Sequence, residues 1–341
     1  MKAVFPVGAG RVELREVPRP KLRRGEILVK MRVCGICGTD IEKTRGETHT
    51  PQVLGHEVSG VVDQIAEGVT DSEEGARVVV HHHVSCGECY YCTSGSPTLC
   101  ELFQNTNLDP CGFAEYFRVP KVNVAKGAVL AIPNKLSFEE ASFVEPLGCC
   151  LRNLASVGDV SGKSVAVFGV GSTGVLMLQL LKASGAGPIV AIDVSPSRLK
   201  FSQRVGADVS INPNGEDIGA SVRATTEGRG ADVAIVATGS VQALDNSFSI
   251  VRRGGIINLF GMPTKDAELI IDPSRLFINE IRIVPSYSTT ENEMKEAIKL
   301  VSSGEVKVAE LISHRFTLTD SVEAFRVASD PEKAVKVVVN N

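Results

Sequence analysis

Three sets of residues in the 341-residue chain carry types and spacings that could do chemistry. The tightest is Cys86-Gly-Glu-Cys89-Tyr-Tyr-Cys92, followed after seven residues by Cys100. Four thiols from one short lobe complete the tetrahedral shell of a zinc ion at about 2.3 Å per sulfur and leave no open position, which marks a structural site. A nucleic-acid-binding zinc ribbon would need cations for phosphate contacts. No Lys or Arg occurs from His81 to Phe117. The second set is dispersed: Cys37-Gly-Thr-Asp40, then Gly55-His56-Glu57, and far downstream Val144-Glu145-Pro146. Cys37, His56 and a carboxylate form a mixed sulfur, nitrogen and oxygen set, the kind that holds a catalytic zinc through three protein ligands with one position open. The third set is Gly169-Val-Gly171-Ser172-Thr173-Gly174, with Asp193 nineteen residues later. Glycines at this spacing allow a tight turn and a close approach to a pyrophosphate at a helix amino terminus, and the acidic residue suits a ribose hydroxyl.

The elements that must position these groups fall into two textures. Residues 1–135 read as short β segments with turns, among them 26–33, 58–65 and 77–80. Ser137-Phe-Glu-Glu140 has the capping-box pattern and predicts a helix running towards residue 151. From Lys163 onwards, apolar runs at 164–168, 189–192, 209–211, 232–237 and 255–260 alternate with amphipathic stretches at 175–183 and 197–204. Strands buried on both faces and separated by helices predict an α/β, doubly wound parallel sheet. A strand at 281–285, a helix at 291–302 and a strand at 334–339 read as a return to the first domain.

Composition sets outer bounds. Apolar residues make up 43% and charged residues 22%, with a net charge of −4 and no long run of one sign, so neither a nucleic-acid nor an anionic-membrane partner is expected. No apolar stretch reaches the ~18 residues of a spanning helix. Charges and a proline interrupt every apolar run in MKAVFPVGAGRVELREVP, so no signal peptide is expected there. Nine cysteines, an odd number, suit metal binding in a cytoplasmic protein better than a disulfide framework.

Taken in order, Cys37-Gly-Thr-Asp40, Gly55-His-Glu-Val-Ser-Gly60, the four-cysteine lobe, Glu145-Pro-Leu and the glycine turn resemble the zinc-dependent medium-chain alcohol dehydrogenases over nearly the whole chain. The sorbitol, threonine and glucose dehydrogenase branch is the most similar. The resemblance implies a GroES-like β-rich catalytic domain at 1–150, completed by 281–341, and a Rossmann domain at 151–280. It implies two zinc ions per chain: a structural one on Cys86, Cys89, Cys92 and Cys100, and a catalytic one on Cys37 and His56. Glu57 and Glu145 would bind the latter directly, by exchange or through water. Thr39 would bond the substrate hydroxyl, and Asp40 would orient His56. Glu42 stands where many relatives have a relay histidine, so Glu42, Glu57 or water would carry the proton. NAD would lie on Gly169, Gly171, Ser172, Thr173, Gly174, Asp193 and Arg198, with Thr238 and Gly261 at the nicotinamide end.

The expected reaction is hydride transfer from a secondary alcohol or polyol to NAD. The rival substrates are L-threonine and a glucose-type sugar; sorbitol dehydrogenases carry Arg-Tyr where Ser288-Thr289 stand here. A rival from another class is a zinc-stabilised nucleotide-binding protein without turnover. A homodimer or homotetramer is expected, with the 281–287 edge strand as a pairing surface.

Overall fold

A computed structural model describes residues 1–46, 52–330 and 332–341. The chain forms two compact units, Met1–Cys149 with Ser288–Asn341, and Cys150–Tyr287.

In the first unit the strand Ile27–Gly35 is the organiser. Seven of its nine residues are buried, with Lys30 half-buried and Arg32 exposed, and it pairs antiparallel with Glu57–Ile65, Tyr116–Val119 and the carboxy-terminal Lys336–Asn340. The sheet continues through Arg77–Val80 to Val129–Ala131 on one side and to Ile312–Thr317 on the other. A hairpin of Lys2–Gly8 and Arg11–Glu16 packs near it. Met31, Phe113, Phe117 and Phe325 fill the core between these strands, each at most 2% exposed. This register puts Gly35 opposite both Glu57 and Val338, so segments from the two ends of the sequence meet beside Cys37.

Ser137 opens a helix as expected: its Oγ accepts the Glu140 N–H at 3.1 Å, and Glu140 accepts the Ser137 N–H at 3.0 Å. The helix is interrupted, however. Phe138–Ala141 ends, and a second helix, Val144–Val157, begins in its place. Pro146 lies in that first turn, where its missing N–H costs no hydrogen bond.

The second unit contains a six-stranded parallel sheet. From edge to edge it runs Val209–Ile211, Ile189–Ile192, Val165–Phe168, Ala231–Val236, Val251–Leu259 and Arg282–Pro285, which is 3-2-1-4-5-6 in chain order. This is the Rossmann strand order, with its topological switch between the first and fourth strands. The last strand corrects one expectation. Residues 282–285 pair parallel with Val251–Leu259 and complete this sheet, so the chain leaves the second unit after Tyr287 and not near 281. A short apolar run carries no mark of which sheet it joins.

Candidate active site and metal centres

The four-cysteine lobe is built from a turn and two very short helices, Tyr90–Thr93 and Glu101–Asn105, whose amino-terminal flanks are Cys89 and Cys100. The four sulfurs lie within 4.8 Å of one another. Cys86 and Cys89 Sγ are 3.8 and 3.6 Å from Cys92 Sγ. A tetrahedron with metal–sulfur bonds of about 2.3 Å has edges of about 3.8 Å, so the donor set fits zinc. Backbone N–H groups of Gly87, Cys89 and Cys86 point at the sulfurs of Cys92, Cys86 and Cys100 at 3.2–3.4 Å. At Cys100, burial pushes the thiol up, but such donors outweigh it and bring it to about 6. None of the nine cysteines is in a disulfide.

Cys37 sits at the amino-terminal cap of the helix Gly38–Arg45, with Thr39 half-buried in its first turn. Asp40, fully buried, ties this helix to the next segment: one oxygen accepts the Cys37 N–H at 3.1 Å and the other accepts the Gly55 N–H at 2.9 Å. His56 Nδ1 is 3.5 Å from Asp40 Oδ1, the outer edge of hydrogen-bond range. Burial raises the Asp40 carboxyl, but His56 and the donated N–H groups outweigh this and hold it below its ordinary range. Glu57 begins the strand Glu57–Ile65. Cys37, His56 and Glu57 present ligand atoms all within 4.8 Å of one another, a sulfur, nitrogen and oxygen set that suits zinc.

Glu145 is buried in the first turn of Val144–Val157, where its Oε1 accepts from Cys149 Sγ at 3.5 Å, and it stands outside that compact group. Cys34 lies in the apolar core and its thiol is pushed well up, first by burial. Three consecutive histidines, His81, His82 and His83, follow the end of strand Arg77–Val80. All three residues are buried, and their rings pack together, with His82 and His83 centroids 3.9 Å apart. They form no third metal group among the described residues.

In the second unit, the strand Val165–Phe168 runs through Gly169–Gly174 into the helix Ser172–Ala183, which Gly171 caps. Gly169 has φ +83°, a conformation that favours glycine. A Cβ on Gly174 would stand 2.0 Å from the Gly169 carbonyl oxygen, so helix and turn can meet only here without a side chain. Ser172 Oγ is buried with no partner at the helix amino terminus, an orphaned donor that fits a phosphate oxygen. Thr173 follows it, half-buried. Asp193, at the end of Ile189–Ile192, accepts the Val170 and Ser195 N–H groups at 2.8 and 2.9 Å. Arg198 Nη1 lies 4.0 Å from Asp193 and within 3.4 Å of where a Cβ on Gly171 would stand. Thr238 and Gly261 follow the strands Ala231–Val236 and Val251–Leu259 and lie against one another beside the turn.

Residues 23–133 match the alcohol dehydrogenase GroES-like domain, and residues 172–303 match the zinc-binding dehydrogenase family. The chain is 33% identical over 306 residues to an alcohol dehydrogenase of Geobacillus stearothermophilus, covering 87% of each chain. It is 34% identical over 322 residues to an L-threonine 3-dehydrogenase of Pyrococcus horikoshii, covering 91% of this chain and 90% of the relative. The chain belongs to the zinc-dependent medium-chain dehydrogenases. A solved Sinorhizobium meliloti 1021 structure described as a zinc-binding dehydrogenase, bound to NADP, superposes with a TM-score of 0.89 at 30% identity, covering 100% of this chain and 99% of that one.

The dehydrogenase carries one residue at this site that motif spacing did not single out. Lys336, 2% exposed in the carboxy-terminal strand, donates to Glu57 Oε2 and to the Ile36 carbonyl, the latter at 3.2 Å. Gly35 leaves the room for it: a Cβ there would overlap the Glu57 carboxylate and the Lys336 side chain. Burial works against the Lys336 charge, but Glu57 and Cys37 outweigh it and hold the ammonium above its ordinary range. The available signal was a lysine inside an otherwise apolar run, Ala334-Val-Lys-Val-Val-Val339.

Proposed function

We propose that this dehydrogenase oxidises a secondary alcohol or polyol with transfer of hydride to NAD. The observation that carries this reading is the compact group of Cys37, His56 and Glu57, a three-ligand set of the catalytic kind. In this proposal those residues hold a catalytic zinc, with Glu145 reaching it by exchange or through water, and Cys86, Cys89, Cys92 and Cys100 hold a structural zinc. When bound, zinc supplies the Lewis acidity that lowers the pKa of an alcohol hydroxyl, and the nicotinamide supplies the hydride acceptor. Thr39 accepts the hydrogen bond of the substrate hydroxyl. Asp40 orients His56 through its Nδ1, as carboxylates do for ligating histidines. Burial raises the Glu57 carboxyl above its ordinary range, and the Lys336 ammonium opposes that rise and fixes the direction of the carboxyl group.

NAD is preferred because the buried Asp193 carboxylate would meet a 2′-phosphate with repulsion. Gly169, Gly171, Ser172, Thr173 and Gly174 cradle the pyrophosphate, Arg198 lies along the adenosine, and Thr238 and Gly261 border the nicotinamide half. Identity to threonine dehydrogenases supports L-threonine as the second substrate reading. A homodimer or homotetramer in a reducing cytoplasm completes the proposal, supported by the free cysteines and by the exposed edge strand Arg282–Pro285.

The deciding experiment pairs metal analysis with reduction of NAD and NADP over polyols, sugars, L-threonine and simple secondary alcohols. Two zinc ions per chain are expected, with Cys37→Ala losing one of them together with turnover. A kcat/KM at least about 10-fold higher with NAD than with NADP is expected, equivalent to about 1.4 kcal/mol. One zinc per wild-type chain, or full turnover by Cys37→Ala, would sink the mechanism.

A further inference from the structure

Of the three consecutive histidines, two have anchored rings. His81 Nδ1 donates to Glu291 Oε1 at 3.0 Å, and His83 Nδ1 donates to the Thr106 carbonyl at 2.6 Å. His81 keeps its Nε2 buried without a partner, but its Nδ1 bond fixes the ring; His82, between them, has no such anchor. Its backbone is fixed, the carbonyl accepting from Asn123 Nδ2 at 3.0 Å, and its ring is held between two others. The ring centroid is 3.9 Å from that of His83 and 5.0 Å from that of His56. The residue is 6% exposed, yet its Nδ1 is buried without a hydrogen-bond partner. Buried polar atoms are nearly always paired, so one left open beside a reaction centre calls for a partner that arrives with a ligand. Phenylalanine would fill the same space without that cost, so the polar ring is the feature to be explained.

We propose that His82 is a specificity-determining residue that hydrogen-bonds a second hydroxyl on the substrate's carbon chain, close to the carbinol being oxidised. The inference rests on the alcohol-oxidation reading above and narrows it to polyols. His56 belongs to the group proposed to hold the reacting hydroxyl, and the His82 ring packs against it with centroids 5.0 Å apart, so His82 lies beside the proposed reaction centre. Nδ1 donates or accepts one hydrogen bond according to the tautomer, and a hydroxyl can meet either role. A site that expects such a bond discriminates strongly against analogues lacking the hydroxyl, because the buried nitrogen then stays unpaired.

The test compares kcat/KM for butane-2,3-diol and butan-2-ol in the zinc-loaded wild type, His82→Phe and His82→Asn. Phenylalanine keeps a flat ring between His56 and His83 but has no nitrogen; asparagine keeps an amide near the place of Nδ1. His82→Phe is expected to lower the value for the diol at least about 10-fold and that for butan-2-ol less than about 3-fold. His82→Asn is expected to recover much of the diol preference. Equal losses on both substrates would mean that the ring only packs, and would overturn the proposal. A second readout is independent of turnover: the diol raises the melting temperature of wild type more than of His82→Phe, while butan-2-ol does not distinguish them. A wild type that oxidises neither alcohol but shows this His82-dependent shift would defeat the oxidation reading and leave the contact standing. Oxidation of both alcohols with no His82-dependent shift or preference would defeat the contact alone.

Discussion

The buried Lys336–Glu57 pair is the residue-scale feature with the clearest energetic consequence. Each partner is at most 2% exposed, so neither charge can be left to solvent when the other is removed. Breaking such a pair from one side costs about 3–5 kcal/mol, most of it the penalty of the abandoned charge. Lys336→Met is therefore expected to lower the free energy of unfolding in urea by that amount and to weaken retention of one zinc. The double variant Lys336→Met, Glu57→Gln should recover most of the stability, because no isolated charge remains. Recovery of less than about 1 kcal/mol would show that the lysine contributes chiefly through packing, for example over the Phe143 ring at 5.7 Å. Cys37, His56 and Glu57 were all legible as donors from their types. Their mutual distances, and the placement of Glu145 outside the compact group, were not.

At the scale of elements, the glycine turn and the strand starts carry the predictions. Gly174→Ala places a methyl carbon 2.0 Å from the Gly169 carbonyl, so either the turn or the helix Ser172–Ala183 must move. The KM for the dinucleotide should rise at least about 10-fold, as expected when backbone can no longer approach the pyrophosphate, while zinc content stays unchanged. A variant with unaltered KM would show that the turn accommodates a side chain. The second element-scale feature is Asp232, which joins the starts of two strands. Its carboxylate accepts from Ser164 N–H at 2.9 Å, Ser164 Oγ at 2.7 Å and Arg252 Nε at 2.6 Å. Burial raises this carboxyl, but those donors outweigh it and its pKa lies below the ordinary value. A depressed folded-state pKa gives stability that is complete above the unfolded value, about 3.9, and is lost as pH falls through the folded one. Asp232→Asn should cost about 1–3 kcal/mol near neutral pH, with the gap to wild type narrowing below about pH 4. A gap independent of pH would remove the ionised carboxylate from the explanation.

At the scale of the whole molecule, the open edge of the parallel sheet is the feature that calls for a partner. Among the described residues Arg282–Pro285 has a strand neighbour on one side only, and the preceding helix, Pro273–Asn279, exposes Phe277 at 85% and Ile278 at 74%. An unpaired strand edge next to exposed apolar side chains is a template for association, and a second copy of this chain is the partner in the proposed oligomer. Light scattering on Phe277→Asp, Ile278→Asp is expected to give half the wild-type mass or less; an unchanged mass would place the interface elsewhere. Among the described residues no helix is long and apolar enough to cross a membrane.

What the sequence by itself determined is whatever short-range spacing controls. Four cysteines within fifteen positions cannot avoid one another, and a glycine turn between an apolar strand and a helix has one way to fold, so the four-thiol lobe and the dinucleotide turn were readable from the residues. The alternation of buried strands with helices likewise announced the doubly wound sheet. Tertiary structure alone decided what depends on pairing between distant segments. Glu57 and Lys336 are 279 residues apart and meet because Ile27–Gly35 pairs with both of their strands. Residues 282–285 join the second unit's sheet because that sheet offers a parallel neighbour, a choice their own apolar pattern does not encode. The three histidines lie beyond the end of strand Arg77–Val80, where no local period sets their side chains, and only the folded packing puts His82 against His56. Side-chain type and local period are written in the chain; which distant backbone completes a sheet is settled by burial of the whole.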